Sequence, residues 1–329
     1  MSSDVSATRD QRSIHYIVRS GLAGGVAGCL AKTVVAPLDR VKILFQASNP
    51  EFQKYAGTWS GAFRAGADIY QSSGVRGLFR GHSVTLLRIF PYAAIKYMAY
   101  DQVHYHLMPT RDKETNFRRF SAGSISGMIS VLFTYPLEVF RVRLAFHTKS
   151  SNQSNDSLLR SFKQIYHEKA IDITHSPSTR TPTPKASNYF NRYPMLKFYR
   201  GFSATLIGMI PYAGVSFLSW GYLRARFLPP PSDAKIKSTP VADLAIGAVS
   251  GAMAQTASYP FEVIRRRMQV GGITQPDRWL QWGETVRAIW VSSGWRGFYV
   301  GLSIGYLKVI PMTAVSFTVW QCGKRFLGV

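Results

Sequence analysis

One short string occurs three times in this chain, and its repetition limits the fold more than any other feature. Pro37-Leu38-Asp39-Arg40-Val41-Lys42, Pro136-Leu137-Glu138-Val139-Phe140-Arg141 and Pro260-Phe261-Glu262-Val263-Ile264-Arg265 each read proline, any residue, acid, two residues, base. Each follows an apolar stretch that contains glycine. Self-similarity of this kind means that one supersecondary unit is used repeatedly. A second string recurs with it: Gly74 to Gly81 (GVRGLFRG) returns as Gly294 to Gly301 (GWRGFYVG), and the middle copy keeps Phe198-Tyr199-Arg200-Gly201. Ten residues after each closing glycine stands a proline, at Pro91, Pro211 and Pro311. Each unit therefore reads as an odd helix broken near its end by proline, a basic loop, and an even helix with an internal proline.

The expected fold is an all-α membrane protein with six transmembrane helices in three pseudo-symmetric repeats. The expected spans are 16–46, 83–105, 118–147, 203–226, 240–268 and 303–326. The divisions are a polar tail at 1–13 and repeats at 14–110, 111–230 and 231–329. The mean hydropathy over 329 residues is near neutral and hides this signal. Local windows reveal it: residues 202–223 carry no charged side chain, enough to cross a bilayer core, and residues 21–38 carry only Lys32. Isolated charges at mid-depth face a bundle interior or a water-filled cavity.

The net charge of +23 is unevenly placed. The three loops that join odd to even helices (40–82, 141–200 and 265–300) hold 23 Lys/Arg against 7 Asp/Glu. By the positive-inside rule these loops share one side of the membrane and both termini face the other. The bases bracket apolar spans and form no single stripe, which argues against nucleic-acid binding. Cys29 and Cys322 both fall in expected spans and make neither a disulfide framework nor a metal pair. The first 13 residues are polar, include Asp4 and Asp10, and match neither a secretory signal nor an Arg-rich transit peptide. Residues 148–195 are rich in Ser, Thr, Asn and Pro and lengthen the middle repeat as an insertion, with one surface helix expected near 157–169.

Proline removes a backbone hydrogen bond and kinks a helix, so Pro37, Pro136 and Pro260 would bring three helix ends together. Within each motif the acid and base are three apart and share a helical face. Three acids and three bases converging this way can pair between helices and close a pore at its basic-loop side. The pairs Gly21/Gly25, Gly24/Gly28, Gly123/Gly127 and Gly247/Gly251 fit the small-xxx-small pattern and read as helix-packing sites.

The triple Pro-x-acid-x-x-base repeat, with its aromatic-base-Gly segments, resembles the mitochondrial carrier family over nearly the whole chain. The resemblance implies a six-helix bundle around one central substrate site. It also implies alternating access across the mitochondrial inner membrane, termini toward the intermembrane space, a monomer, and cardiolipin as bound lipid. In that pattern a matrix gate pairs Asp39 with Arg141, Glu138 with Arg265, and Glu262 with Lys42. The family's cytoplasmic gate is poorly kept: Asp101 is its only acid, Arg224 and Lys324 are its bases, His104 stands at a third basic position and Gln321 at an acidic one. One pair, Asp101 with Arg224, is expected there.

Lys32, Arg88, Lys96 and Lys308 lie at mid-depth with almost no acids at their level, which points to an anionic substrate. Lys32 is seven residues before Asp39 and so on the same face, two turns deeper. By resemblance the family's contact points fall at Arg88, at Gly208-Met209 and at Lys308. A glycine followed by an apolar residue there resembles the nucleotide-type carriers. Tyr212, one turn on, either stacks on a base or packs between helices. The residues lead as far as an adenine-containing polyanion. The strings Tyr135–Phe146 and Ser258–Val270 resemble the coenzyme A carriers of the family, which implies coenzyme A import in exchange for an adenine nucleotide. The alternatives are an ATP-Mg/phosphate or ADP carrier, or a receptor of carrier fold that has lost transport. An enzyme is not expected, since there is no P-loop and no HExxH. Gly301 to Gly305 matches GxSxG but opens a membrane helix with no strand before it. No resident cofactor or metal is implied.

Overall fold

The computed structural model describes residues 14–109, 115–148, 158–168, 193–227, 240–274 and 281–326. All regular structure among them is helical. The long helices are α1 (Ile14–Gln46), α3 (His82–Leu107), α4 (Asn116–Phe146), α6 (Phe202–Phe227) and α7 (Pro240–Thr274). The sixth is divided into α9 (Leu302–Leu307) and α10 (Val309–Phe326). The basic loops contain shorter helices α2 (Trp59–Leu78), α5 (Leu158–His167) and α8 (Trp282–Ser293). Helix α5 is the surface helix expected in the insertion; most of 148–195 and the tail 1–13 lie outside the described residues. The other two loop helices were not foreseen. By length and composition, the helical stretches 117–146, 194–227 and 282–323 suffice to cross a membrane; α1, α3 and α7 fall short and carry Lys32, Arg88, Lys96 and two of the three motifs.

The odd helices are not broken at the motif. Pro37, Pro136 and Pro260 each lie inside a helix that continues for at least two further turns. The even helices likewise contain Pro91 and Pro211. The interruption falls at Lys308 in the third repeat, where its N–H is shared between the carbonyls of Ile304 and Tyr306.

Packing follows a cyclic rule. Each even helix packs most extensively on the odd helix of the next repeat: α3 on α4, α6 on α7, and α10 back on α1. Pairs within one repeat touch far less. The tight seams use a buried stripe at fourteen, ten and six residues before each motif proline. These are Ala23, Ala27 and Ala31; Ala122, Ser126 and Ser130; and Ile246, Ser250 and Ala254. A Cβ on Gly323 of α10 would come within 3.1 Å of Ala23. The serine hydroxyls in the stripes donate to carbonyls of their own helices, so no polar group is stranded. This corrects the expectation for the glycine pairs. A Cβ on Gly21, Gly24, Gly28, Gly123, Gly247 or Gly251 would meet nothing within 4 Å; only Gly25 and Gly127 have a neighbour, at 3.4 Å.

The core sits at the basic-loop end, as three clusters below the motifs. Three glycines lock this end. Gly81, Gly201 and Gly301 have φ of 80°, 78° and 83°, a left-handed conformation that favours glycine. A Cβ on Gly81 would lie 2.8 Å from the carbonyl oxygen of Arg141, and one on Gly201 3.0 Å from that of Arg265. Each even helix thus starts against the motif base of the next repeat.

Candidate functional site

The three motifs meet. Arg141 Nη2 lies 2.8 Å from Asp39 Oδ2, and Lys42 Nζ lies 2.9 Å from Glu262 Oε1. Arg265 pairs with Glu138. The pairs link α1 to α4, α4 to α7 and α7 to α1, a closed ring of the composition the sequence implies. The ring is largely withdrawn from solvent. Removing one partner of such a pair costs about 3–5 kcal/mol, because the other charge is left buried.

Two bases read as substrate ligands are also held by the ring. Arg88 Nη1 donates to Glu138 Oε2 at 3.0 Å, and Lys308 Nζ donates to Asp39 Oδ1 at 2.8 Å. Arg266, which sequence reasoning missed, adds a third guanidinium on Glu138 at 3.1 Å. Among the described residues, three carboxylates therefore carry six bases. Lys32 is not in the ring; its Nζ reaches Met312 Sδ at 3.6 Å. Lys96 is exposed and lines a different cavity.

A cavity of 360 Å³ brings Gly208, Met209, Tyr212 and Lys308 together with Lys42, Glu262 and Arg265. It does not include Lys32, Arg88 or Lys96. Gly208 has a packing role of its own: a Cβ there would lie 2.9 Å from Cβ of Phe261, so glycine permits the close approach of α6 to α7. Tyr212 is partly exposed toward the cavity.

A second layer braces the ring. Tyr135 and Tyr259 are fully buried and immediately precede motif prolines. Tyr135 Oη donates to the carbonyl of Arg200 at 2.7 Å, and Tyr259 Oη to that of Val300 at 3.0 Å. Arg265 lies over the Tyr135 ring and Lys42 over the Tyr259 ring, at 5.5 and 5.0 Å. At the equivalent place in the first repeat stands Ala36, so Arg141 lacks a ring from that position. Gln269 accepts from Arg266 at 3.0 Å and donates to Tyr135 Oη at 3.2 Å. The signal for Gln269 was in the sequence: it stands nine residues after a motif proline, the place held in the first repeat by the buried Gln46. In the middle repeat Glu168 pairs with Arg143 at 2.5 Å and Arg200 at 3.3 Å, and fits against Gly272 of α7.

The opposite end differs. Asp101 and Arg224 do not pair; Arg224 lies over the Trp220 ring at 4.9 Å and Asp101 is exposed. Gln321 is half-buried, and the side chain of Lys324 lies outside the described ones.

The mitochondrial carrier protein model matches residues 14–111, 112–172 and 237–329. The chain is 44% identical to the mitochondrial carrier protein LEU5 of Saccharomyces cerevisiae, over 97% of this chain and 93% of that protein. It is 43% identical to an uncharacterized mitochondrial carrier of Schizosaccharomyces pombe, over 97% of each. Solute carrier family 25 member 16 of Homo sapiens is 40% identical over 94% of this chain and 89% of the human protein. Transport of a small molecule across the mitochondrial inner membrane by a multi-pass protein, and not catalysis, is the work of proteins of this type. With three matched repeats, a cyclic six-helix bundle and a ring built from three equivalent motifs, the chain belongs to the mitochondrial carrier family.

Proposed function

We propose that the protein carries coenzyme A, or a closely related adenine-containing polyanion, into the matrix by alternating access in exchange for an adenine nucleotide. The observation that carries this reading is the charge excess at the ring: six bases surround three carboxylates, with Lys32 nearby. Buried charge needs compensation, and a ligand with a diphosphate and a further phosphate supplies it. Arg88 and Lys308 are the bases best placed for exchange, since each acid keeps a ring partner after releasing one.

In this reading the ring is the matrix gate, closed here, and the opposite end is open to the intermembrane space. Phosphates that draw Arg88 from Glu138 and Lys308 from Asp39 weaken the ring while filling the cavity. Substrate binding thus lowers the barrier to opening on the matrix side. The unpaired Asp101 and Arg224 fit the open outer end, and the basic loops support termini toward the intermembrane space. Met209 and Tyr212 offer an adenine an apolar and an aromatic face. A monomer with cardiolipin at its lipid surface completes the proposal.

The test is uptake of labelled coenzyme A into proteoliposomes preloaded with coenzyme A, ADP, adenosine 3′,5′-diphosphate or nothing. Saturable uptake that external ADP competes with only weakly is expected, and the best preload identifies the counter-substrate. Brisk ADP or ATP exchange without coenzyme A uptake would overturn the choice of substrate.

A further inference from the structure

A second cavity, of 680 Å³, opens in the seam between α4 and α6 with α3 behind it. Phe120, Met128, Leu206 and Phe217 make much of its wall apolar, and Phe120 and Phe217 meet edge-to-face across the seam at 5.2 Å. Gly123 and Gly127 leave it room on the α4 side. It shares Met209 and Tyr212 with the polar cavity at the ring, so the two spaces adjoin across these side chains. Two bases stand on this second cavity: Arg119 of α4, and Lys96, the mid-depth base that is neither in the ring nor near it.

We infer that this slot is the subsite for a long, weakly polar arm on the transported nucleotide, with the phosphorylated adenosine head lying on the ring side of Met209 and Tyr212. The assignment rests on the coenzyme A reading and adds to it the feature that would separate such a substrate from ADP or ATP, which have no arm. An arm containing amides matches the lining. Ser124 and Ser216 place hydroxyls on opposite walls, and Lys96 can meet a phosphate where arm and head join. A hydrocarbon chain from the bilayer would leave those groups without partners.

The test is equilibrium binding of coenzyme A and of 3′-phosphoadenosine 5′-diphosphate, which keeps the whole phosphorylated head and lacks the arm, to the purified full-length carrier. Gly123→Leu and Ser216→Phe fill the slot from opposite walls, and at Gly123 a Cβ meets nothing within 4 Å. Either variant should weaken coenzyme A binding by about ten-fold or more. Its affinity for 3′-phosphoadenosine 5′-diphosphate should stay within about two-fold, which also shows that the variant is folded. Equal loss of both ligands in both variants, or of neither, would overturn the arm subsite, as would a wild-type protein that binds both equally. A wild-type protein that binds neither would overturn the coenzyme A reading itself.

Discussion

Arg88 and Lys308 can be removed without leaving a buried carboxylate bare, because Glu138 retains Arg265 and Arg266 and Asp39 retains Arg141. Arg88→Ala or Lys308→Ala should therefore lower uptake by about 100-fold or more, at the scale of a lost charged contact to substrate. The thermal unfolding midpoint in detergent should change little. Full transport by both single variants would remove these residues from the site. Glu262 is different, since Lys42 is its one ion-pair partner among the described residues. Glu262→Gln should lower the unfolding midpoint clearly, at a cost of about 3 kcal/mol or more. At Gly201, a side chain meets both a left-handed backbone and the Arg265 carbonyl. Gly201→Val should cost about 2–4 kcal/mol, read from denaturant or thermal unfolding, whereas Gly214→Val, where a Cβ meets nothing, should cost less than about 1 kcal/mol. The motif acids and bases were legible in the sequence because recurrence picked them out. Arg266 was not, because it has no counterpart at equal spacing in the other two motifs, where Ile43 and Val142 stand. That Arg88 and Lys308 pair with ring acids was also hidden, since the pairs join residues 50 and 269 positions apart.

The six long helices were legible because apolar length and proline spacing recur with the repeat. The loop helices α2 and α8 were not, since each is half exposed and its apolar residues do not stand out from the basic loop around them. Glycine spacing misled for a physical reason. Small-xxx-small says that a close approach is possible on that face, and the chain makes its close contacts on the alanine and serine face instead. The exception at element scale is Gly208, where α6 meets Phe261 of α7. Gly208→Val should destabilise the protein by about 1–3 kcal/mol through overpacking, and Phe261→Ala in the same chain should recover part of the loss. Unfolding of the two single variants and the double variant measures that coupling. An additive result would mean that α6 and α7 do not meet there.

The whole molecule is a ring of repeats in which each unit's even helix belongs, by packing, to the next unit's odd helix. Recurrence in the sequence announced three units but not this exchange, which depends on which faces are buried. The three units are also unequal where it matters. Among the described residues, Asp39 holds two bases, Glu138 three and Glu262 one, and two of the three motif bases have a tyrosine beneath them. A substrate that draws on Arg88 and Lys308 therefore loosens two of the three joints directly. The claim at the centre of this account is that ring acids and substrate compete for those bases. Equilibrium binding of labelled coenzyme A to Asp39→Asn and Glu262→Gln tests it, because both variants remove one negative charge but only Asp39 holds Lys308. Competition predicts that Asp39→Asn binds about ten-fold more tightly than Glu262→Gln, the scale of one charged hydrogen bond. Equal affinities, or weaker binding by Asp39→Asn, would contradict it.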